Sequence, residues 1–92
     1  MEHIAEIATL RRTMEAAGDT RSVDDLDAMR RATVAVVDIL QASGWPVEAV
    51  IIQVKRTANE AGLTSMRAIA TGADRLVSDC VRWAIDHYYR LA

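Results

Sequence analysis

The sequence lacks the features that mark secreted, disulfide-bonded and membrane proteins. Its 92 residues contain one cysteine, which excludes an intramolecular disulfide and a multi-cysteine metal site. No apolar run approaches the roughly 18 residues of a membrane-spanning helix. The start, MEHIAEIATL, has neither the basic nor the continuous apolar segment of an export signal. These absences predict a soluble, cytoplasmic protein that binds no metal or other cofactor.

An excess of basic charge is also missing. The chain has 11 Lys and Arg against 13 Asp and Glu, for a net charge of -2, whereas proteins that bind duplex DNA usually carry a basic surplus. There is no Phe, although 51% of the residues are hydrophobic. Small aliphatic side chains and strong helix formers favour closely packed helices. We therefore predict a single all-α domain over residues 1–92.

Helical periodicity divides the chain into a small bundle of four to five helices. The predicted helices cover about 2–17, 23–42, 46–61, 65–70 and 73–90. Gly18 is the expected C′ residue of the first helix. Ser22 is placed to cap the second helix, and Pro46 to occupy the first position of the third. Gly72 interrupts the last apolar phase, so we predict a break there, with one continuous helix as the alternative.

The second predicted helix is apolar over an unusually wide arc. Its apolar side chains span roughly 220°, against about 100° for a helix that lies on one core. Such a helix is either central and covered on two sides, or half of an oligomer contact. Val34 and Ile39 mark the two edges of this arc. On the third helix, Ile52 lies among polar residues, as a normal exposed Ile or as a partner contact.

Three of the four aromatic residues lie in the terminal helix. Its predicted core face comprises Val77, Val81, Ala84, Tyr88 and Leu91. A neighbouring flank comprises Leu76, Cys80, Trp83 and His87. The flank either widens the core or, together with Tyr89, anchors a partner, since aromatic residues dominate binding hot spots. The complete candidate interface is Val34, Ile39, Ile52, Leu76, Trp83, His87 and Tyr89.

Catalytic chemistry finds little support in the sequence. Cys80 and His87 are seven residues apart, about 10.5 Å along a helix, which is too far for a nucleophile–base pair or a shared metal. Glycine-rich phosphate loops and nucleophile elbows are absent. His3, near the apolar side of the first helix, is expected to be a solvated boundary residue. We therefore predict that the protein is not an enzyme.

Two alternatives to protein–protein interaction stay open. One is a DNA-binding, helix-turn-helix-like regulator with helix 46–61 as the recognition helix, presenting Gln53, Lys55, Arg56 and Asn59. The other is a helical bundle that binds a small molecule between Trp45, Trp83 and Tyr88. Pro in the turn and the acidic net charge weigh against the first alternative.

The segments WPVEAV at residues 45–50 and WAIDHYY at residues 83–89 resemble a pattern in short, uncharacterised bacterial proteins. In those proteins, a helix that begins at Pro precedes a terminal helix with the pattern Trp-Cys/Ala-Ile-x-x-Tyr-Tyr. The resemblance covers about half of the chain, residues 44–89, and implies a small helical module without a known activity. Together with the apolar surfaces, it leads us to predict a non-enzymatic protein-interaction module, either a homodimer or a small regulatory adaptor.

Overall fold

The computed structural model describes residues 4–90, which form five α-helices and no strand. The helices are α1 (Ile4–Thr20), α2 (Val23–Ala42), α3 (Val47–Glu60), α4 (Met66–Thr71) and α5 (Arg75–Tyr88). The predicted all-α bundle is confirmed, and four of its five helices are long enough to form a shared core. None of the helices in the described part combines the length and apolarity needed to cross a membrane.

The second helix is the centre of the bundle. It packs against α1 on one side, against α5 on another, and more lightly against α3. Met29, Val36 and Leu40 on this helix are fully buried. Because neighbours in the same chain cover α2, its wide apolar arc does not require a second chain. The central-helix alternative is therefore confirmed.

Short glycine turns connect α2 to α3 and α3 to α4. After α2, the Gly44 and Trp45 amides donate to carbonyls in the last turn of the helix, and Gly44 takes a φ of 88°. Gly62 and Leu63 repeat this arrangement after α3, with a φ of 83° at Gly62. Both turns have the hydrogen-bond pattern of a Schellman motif. Pro46 is the N-cap of α3 and not its first residue, so the helix begins one residue later than predicted.

The prediction that α1 ends at Gly18 is wrong. The helix continues to Thr20, and Arg21 takes the left-handed conformation with a φ of 51°. A Cβ at Gly18 would lie 3.0 Å from Leu63 Cδ2. Glycine at this position therefore permits the close approach of the α3–α4 turn to α1. Glu2 and His3, which fall in the first predicted helix, lie outside the described residues.

The predicted break near Gly72 is confirmed. Gly72 has a φ of 80°, which ends α4 and lets the chain turn into α5. Ser65 caps α4 by accepting a hydrogen bond from the Ala68 amide at 3.1 Å. The Arg21 guanidinium donates to the Thr71 carbonyl at 2.6 Å, which ties the end of α4 to the α1–α2 joint. Two caps and one arginine thus hold a helix of only six residues.

The fifth helix is rotated from the predicted orientation. Its buried residues are Leu76, Cys80 and Ala84, which form the centre of its core face. Val77 and Val81, predicted for that face, are only half-buried. Leu76 was predicted as a candidate interface residue, but it belongs to the core. The core face of α5 is centred on the stripe that the sequence analysis treated as a flank. The predicted core residue Leu91 lies outside the described residues.

Candidate interaction surface

The flank of α5 that faces α2 is closed by polar contacts. His87 Nε2 lies 2.6 Å from Asp38 Oδ1, a hydrogen bond in which the carboxylate accepts. The Arg90 guanidinium approaches the same oxygen at 3.5 Å. Arg90 has a φ of 51°, an uncommon value for a residue with a side chain. Trp83, on the same flank, packs against the core.

Further hydrogen bonds extend this closed flank around the C-terminal end of α5. Gln41 Nε2 donates to the Tyr88 carbonyl at 3.0 Å, and Arg90 Nη1 donates to Gln41 Oε1 at 3.1 Å. The Tyr88 hydroxyl donates to the Trp45 carbonyl at 2.8 Å. Side chains from α5 thus bond to α2 and to the α2–α3 turn. These contacts fix the end of α5 against α2 and the α2–α3 turn.

The opposite flank of α5 is open and forms a groove against α3. Its floor consists of Val77, Val81 and Ile85, each half-buried, and we call this cleft the α3–α5 groove. The groove encloses about 370 Å³ and is bordered by Lys55, Ser78, Arg82 and Asp86. The three aliphatic residues are spaced by four, so they follow one another along a single face of the helix. The chain thus leaves a continuous apolar strip partly in contact with water.

The charged residues at the border of the groove differ in whether they form ion pairs. Arg82 pairs with Asp79 at 3.3 Å on the surface of α5. Within residues 4–90, Lys55 and Asp86 form no ion pair or side-chain hydrogen bond. The groove therefore has an apolar floor and one available charge of each sign. Protein interfaces have the same general composition, with an apolar centre and a polar rim.

Two exposed apolar residues lie near the groove. Ile52 is 57% exposed and precedes Lys55 by three residues, so the two are neighbours on the surface of α3. Tyr89 is also 57% exposed and follows Ile85 by four residues. Its ring meets that of Tyr88 edge-on, with centroids 5.3 Å apart. Tyr89 therefore adds apolar surface at the end of the groove near the C-terminus of α5, and Ile52 adds apolar surface beside Lys55.

The structure divides the predicted candidate interface among three environments. Leu76 is buried in the core, whereas Ile39 and Trp83 are half-buried against it. His87 is held by Asp38, and Val34 is half-buried on α2. Only Ile52 and Tyr89 are largely exposed. The predicted residues therefore do not form one surface.

Sequence reasoning missed the floor of the groove. It assigned Val77 and Val81 to the core face and did not single out Ile85. Apolar residues cover roughly 200° of α5 at 100° per residue, so periodicity alone does not show which part lies beneath the other helices. Lys55, the one lysine of the chain, was a usable signal in the sequence. It lies beside the apolar stripe of α3 and therefore marks the edge of that stripe.

Cys80 is chemically quiet in the fold. Burial raises the pKa of its thiol from 9.0 to about 11, and the nearby Asp79 charge adds to the rise. A hydrogen bond with the Thr33 side chain opposes it. The thiolate is the reactive form of cysteine, so the native thiol is a poor nucleophile at neutral pH. In the described part of the chain, no three His, Cys, Asp or Glu side chains gather as metal ligands.

A second cleft lies between the C-terminal part of α1 and α4. It encloses about 470 Å³ and is bordered by charges of both signs, Glu15, Asp19, Arg21 and Arg67. Arg21 is already engaged by the Thr71 carbonyl. The mixed charge and the engaged arginine favour a structural joint between α1 and α4 over a binding site.

No protein-family model, curated protein or solved structure matches the chain. Support for a function therefore comes from the geometry of the molecule itself, and the α3–α5 groove is its most distinctive open surface.

Proposed function

We propose that the protein is a non-enzymatic interaction module that binds a protein through the α3–α5 groove, as a homodimer or as a small regulatory adaptor. The single observation that carries the proposal is the half-buried strip of Val77, Val81 and Ile85. Burying aliphatic side chains contributes about 25 cal/mol per Å² of apolar surface removed from water. An incompletely covered strip therefore offers binding free energy to a matching surface.

The shape of the groove suits an apolar protein surface. It runs along α5, and its residues recur once per helical turn, which is the spacing that an amphipathic helix presents to a partner. Ile52 and Tyr89 add apolar area beside it, while Lys55 and Asp86 add charge at its rim. Apolar anchors surrounded by charged groups favour a specific contact over unspecific adhesion.

The two alternatives have less support. On the face of α3 expected to recognise DNA, the Gln53 amide already donates to Thr57 Oγ1 at 3.2 Å. That leaves Lys55, Arg56 and Asn59, which are few contacts for a duplex. For a small-molecule site, Tyr88 already bonds to the Trp45 carbonyl, and neither of the two clefts includes Trp45, Trp83 or Tyr88.

Substitution of groove residues tests the proposal. Ile85→Asp and Ile52→Asp place a charge in or beside the groove, and Val23→Asp places the same charge at a valine that is 81% exposed at the start of α2. The tagged proteins are used to capture binding proteins from the source cells, after circular dichroism shows that each variant is folded. We expect the wild type and Val23→Asp to retain the same bound protein, and the groove variants to lose it. Equal retention by all four would contradict the proposal.

A further inference from the structure

We propose that the segment 64–72, which contains α4, opens locally while the rest of the fold stays intact, and that the hydrogen bond from Arg21 to Thr71 is the latch that keeps it closed. This conformational device goes beyond the proposed function and does not rest on it. Three features carry it: the small buried area of α4, the buried residues on either side of the segment, and the one long-range side-chain hydrogen bond that reaches it.

The helix α4 contributes little to the core. Ala68 is its one buried residue, whereas Met66 is 84% and Ile69 is 57% exposed. Hydrophobic stabilisation is proportional to the apolar area removed from water, and the alanine side chain supplies little of it. Isolated helices shorter than about 12–15 residues are also marginal in water. A helix of six residues therefore persists only while contacts outside it hold it in place.

Two buried residues mark the limits of the segment. Leu63 is 2% exposed and Ala73 is 3% exposed, so the chain is anchored in the core immediately before and after residues 64–72. The segment can therefore lose its structure without releasing α3 or α5. Gly72, which ends α4 with a φ of 80°, favours opening, because glycine gains more backbone freedom than any other residue when it leaves an ordered structure.

One side-chain hydrogen bond joins the segment to a distant part of the chain. The Arg21 guanidinium donates to the Thr71 carbonyl at 2.6 Å, at the end of a helix where carbonyls have no partner within the helix itself. A Cβ at Gly72 would lie 3.6 Å from Arg21 Nη1, so the guanidinium lies over this end of α4. Within residues 4–90, the remaining side-chain hydrogen bonds of the segment stay between residues 59 and 71. Arg21 is therefore the latch.

Opening of the segment changes the cleft between α1 and α4. One wall of this cleft consists of Ser65, Arg67, Ala68 and Thr71, which all belong to the segment. Opening removes that wall and exposes Ala68 to water. The bond from Arg21 thus determines whether the joint between α1 and α4 is closed.

Amide hydrogen exchange under native conditions tests whether the segment opens independently. The Ile69 amide donates to the Ser65 carbonyl and the Asp74 amide to the Ala68 carbonyl, so both amides report on opening. Val36 is fully buried on α2, and its amide reports on global unfolding. Where exchange rates follow the opening equilibrium, we expect Ile69 and Asp74 to exchange at least about a hundredfold faster than Val36. Equal protection of the three amides would overturn the proposal.

A substitution outside the segment sharpens this test. Val50 is fully buried and lies ten residues before the end of α3, about 15 Å along the helix. Val50→Ala should speed exchange at Val36 about tenfold or more and leave Ile69 unchanged, because the closed and open states both retain the core around α3. If this variant does not fold, urea well below the unfolding midpoint gives the same comparison, since global unfolding exposes far more surface. Parallel acceleration of both amides would show that α4 unfolds only with the whole protein.

Arg21→Ala tests the latch. The substitution removes the guanidinium but keeps a residue with a Cβ at a φ of 51°, so the cost of that backbone angle remains. Exchange at Ile69 should become about two- to tenfold faster. Arg67→Ala is the matched control, because Arg67 borders the same cleft and forms no ion pair or side-chain hydrogen bond within residues 4–90. The control should change the Ile69 rate by less than about twofold. Equal acceleration by the two variants, or none with Arg21→Ala, would contradict the role of Arg21.

Discussion

The two flanks of α5 both carry half-buried apolar side chains, including Trp83 on one and Val81 on the other, but the polar residues beside them differ. Toward α2, Trp83 packs against the core and His87 is held by Asp38. Toward α3, Val81 and Ile85 line a groove that nothing in the described chain covers completely. The difference lies in the polar residues at the border. On the closed flank they bond to one another, whereas Lys55 and Asp86 on the open flank have no ion partner within residues 4–90.

The proposed binding surface differs from the one that the sequence made conspicuous. Aromatic residues drew attention to the α2 flank, but the chain uses them for its own packing. The open flank contains ordinary aliphatic residues and two charges. Incomplete burial combined with unused charge therefore defines the proposed surface, and the chemical distinctiveness of the side chains does not.

The largest expected effect on stability comes from removing a buried side chain on the core face of α5. Leu76 is 6% exposed, so Leu76→Ala should lower the free energy of unfolding by about 2–5 kcal/mol. Ile85→Ala, on the open flank, should cost about 1 kcal/mol or less in the monomer. Urea unfolding at low protein concentration measures both. Similar costs would mean that the open flank is part of the core.

Alkaline pH should weaken the core through Cys80. Its thiol has a pKa near 9.0 when unfolded and about 11 when native, so between these values the unfolded chain releases a proton that the native chain keeps. The free energy of unfolding therefore keeps its full value below pH 9 and falls by about 2–3 kcal/mol as the pH rises toward 11. The check is urea unfolding of wild type and Cys80→Ala across this range. Parallel curves for the two proteins would contradict the prediction.

The polar contacts on the closed flank should contribute less. His87→Ala and Asp38→Ala should each cost about 0.5–1.5 kcal/mol, and a double-mutant cycle should give a coupling of about 0.5–1 kcal/mol. The pair Arg31 and Asp27 is a suitable control, because its side chains are 74% and 56% exposed and solvent screens it. A coupling for His87 no larger than the control value would show that this flank is not held closed by its polar contacts.

The smallest effect on folding is expected at the exposed end of the groove. Tyr89→Ser should change the free energy of unfolding by less than about 0.5 kcal/mol, because the ring is 57% exposed. The same variant should nevertheless weaken self-association, since the ring lies beside the proposed interface. Thermal unfolding and ultracentrifugation on one sample separate the two effects. A large loss of stability without a change in association would assign Tyr89 to the core.

Most of the fold could be predicted from the sequence, because glycines and caps act locally. Ser22 and Gly72 occupy the predicted positions, since each satisfies hydrogen bonds at its own helix end. Gly18 misled the prediction because its role is a tertiary contact with Leu63. A periodic pattern does not contain that information.

The candidate surface was harder to predict for a similar reason. Leu76 and Val77 are adjacent apolar residues on α5, and either stripe could have faced the core. The choice depends on where α2 and α3 lie, and therefore on packing between residues distant in sequence. Cys80 shows the same limit: the periodicity placed it on a flank of the helix, and the structure places it fully inside the core.

NMR spectra of methyl and N–H groups at low and high protein concentration test the central claim most directly. The claim is that the open flank of α5, and not the closed one, is the protein-binding surface, which a second copy would cover in a homodimer. We predict that the methyl signals of Val77, Val81 and Ile85 shift together as concentration rises, while the Trp83 indole signal and the buried Met29 methyl stay in place. Unchanged groove signals, or shifts confined to the Trp83 flank, would contradict the account.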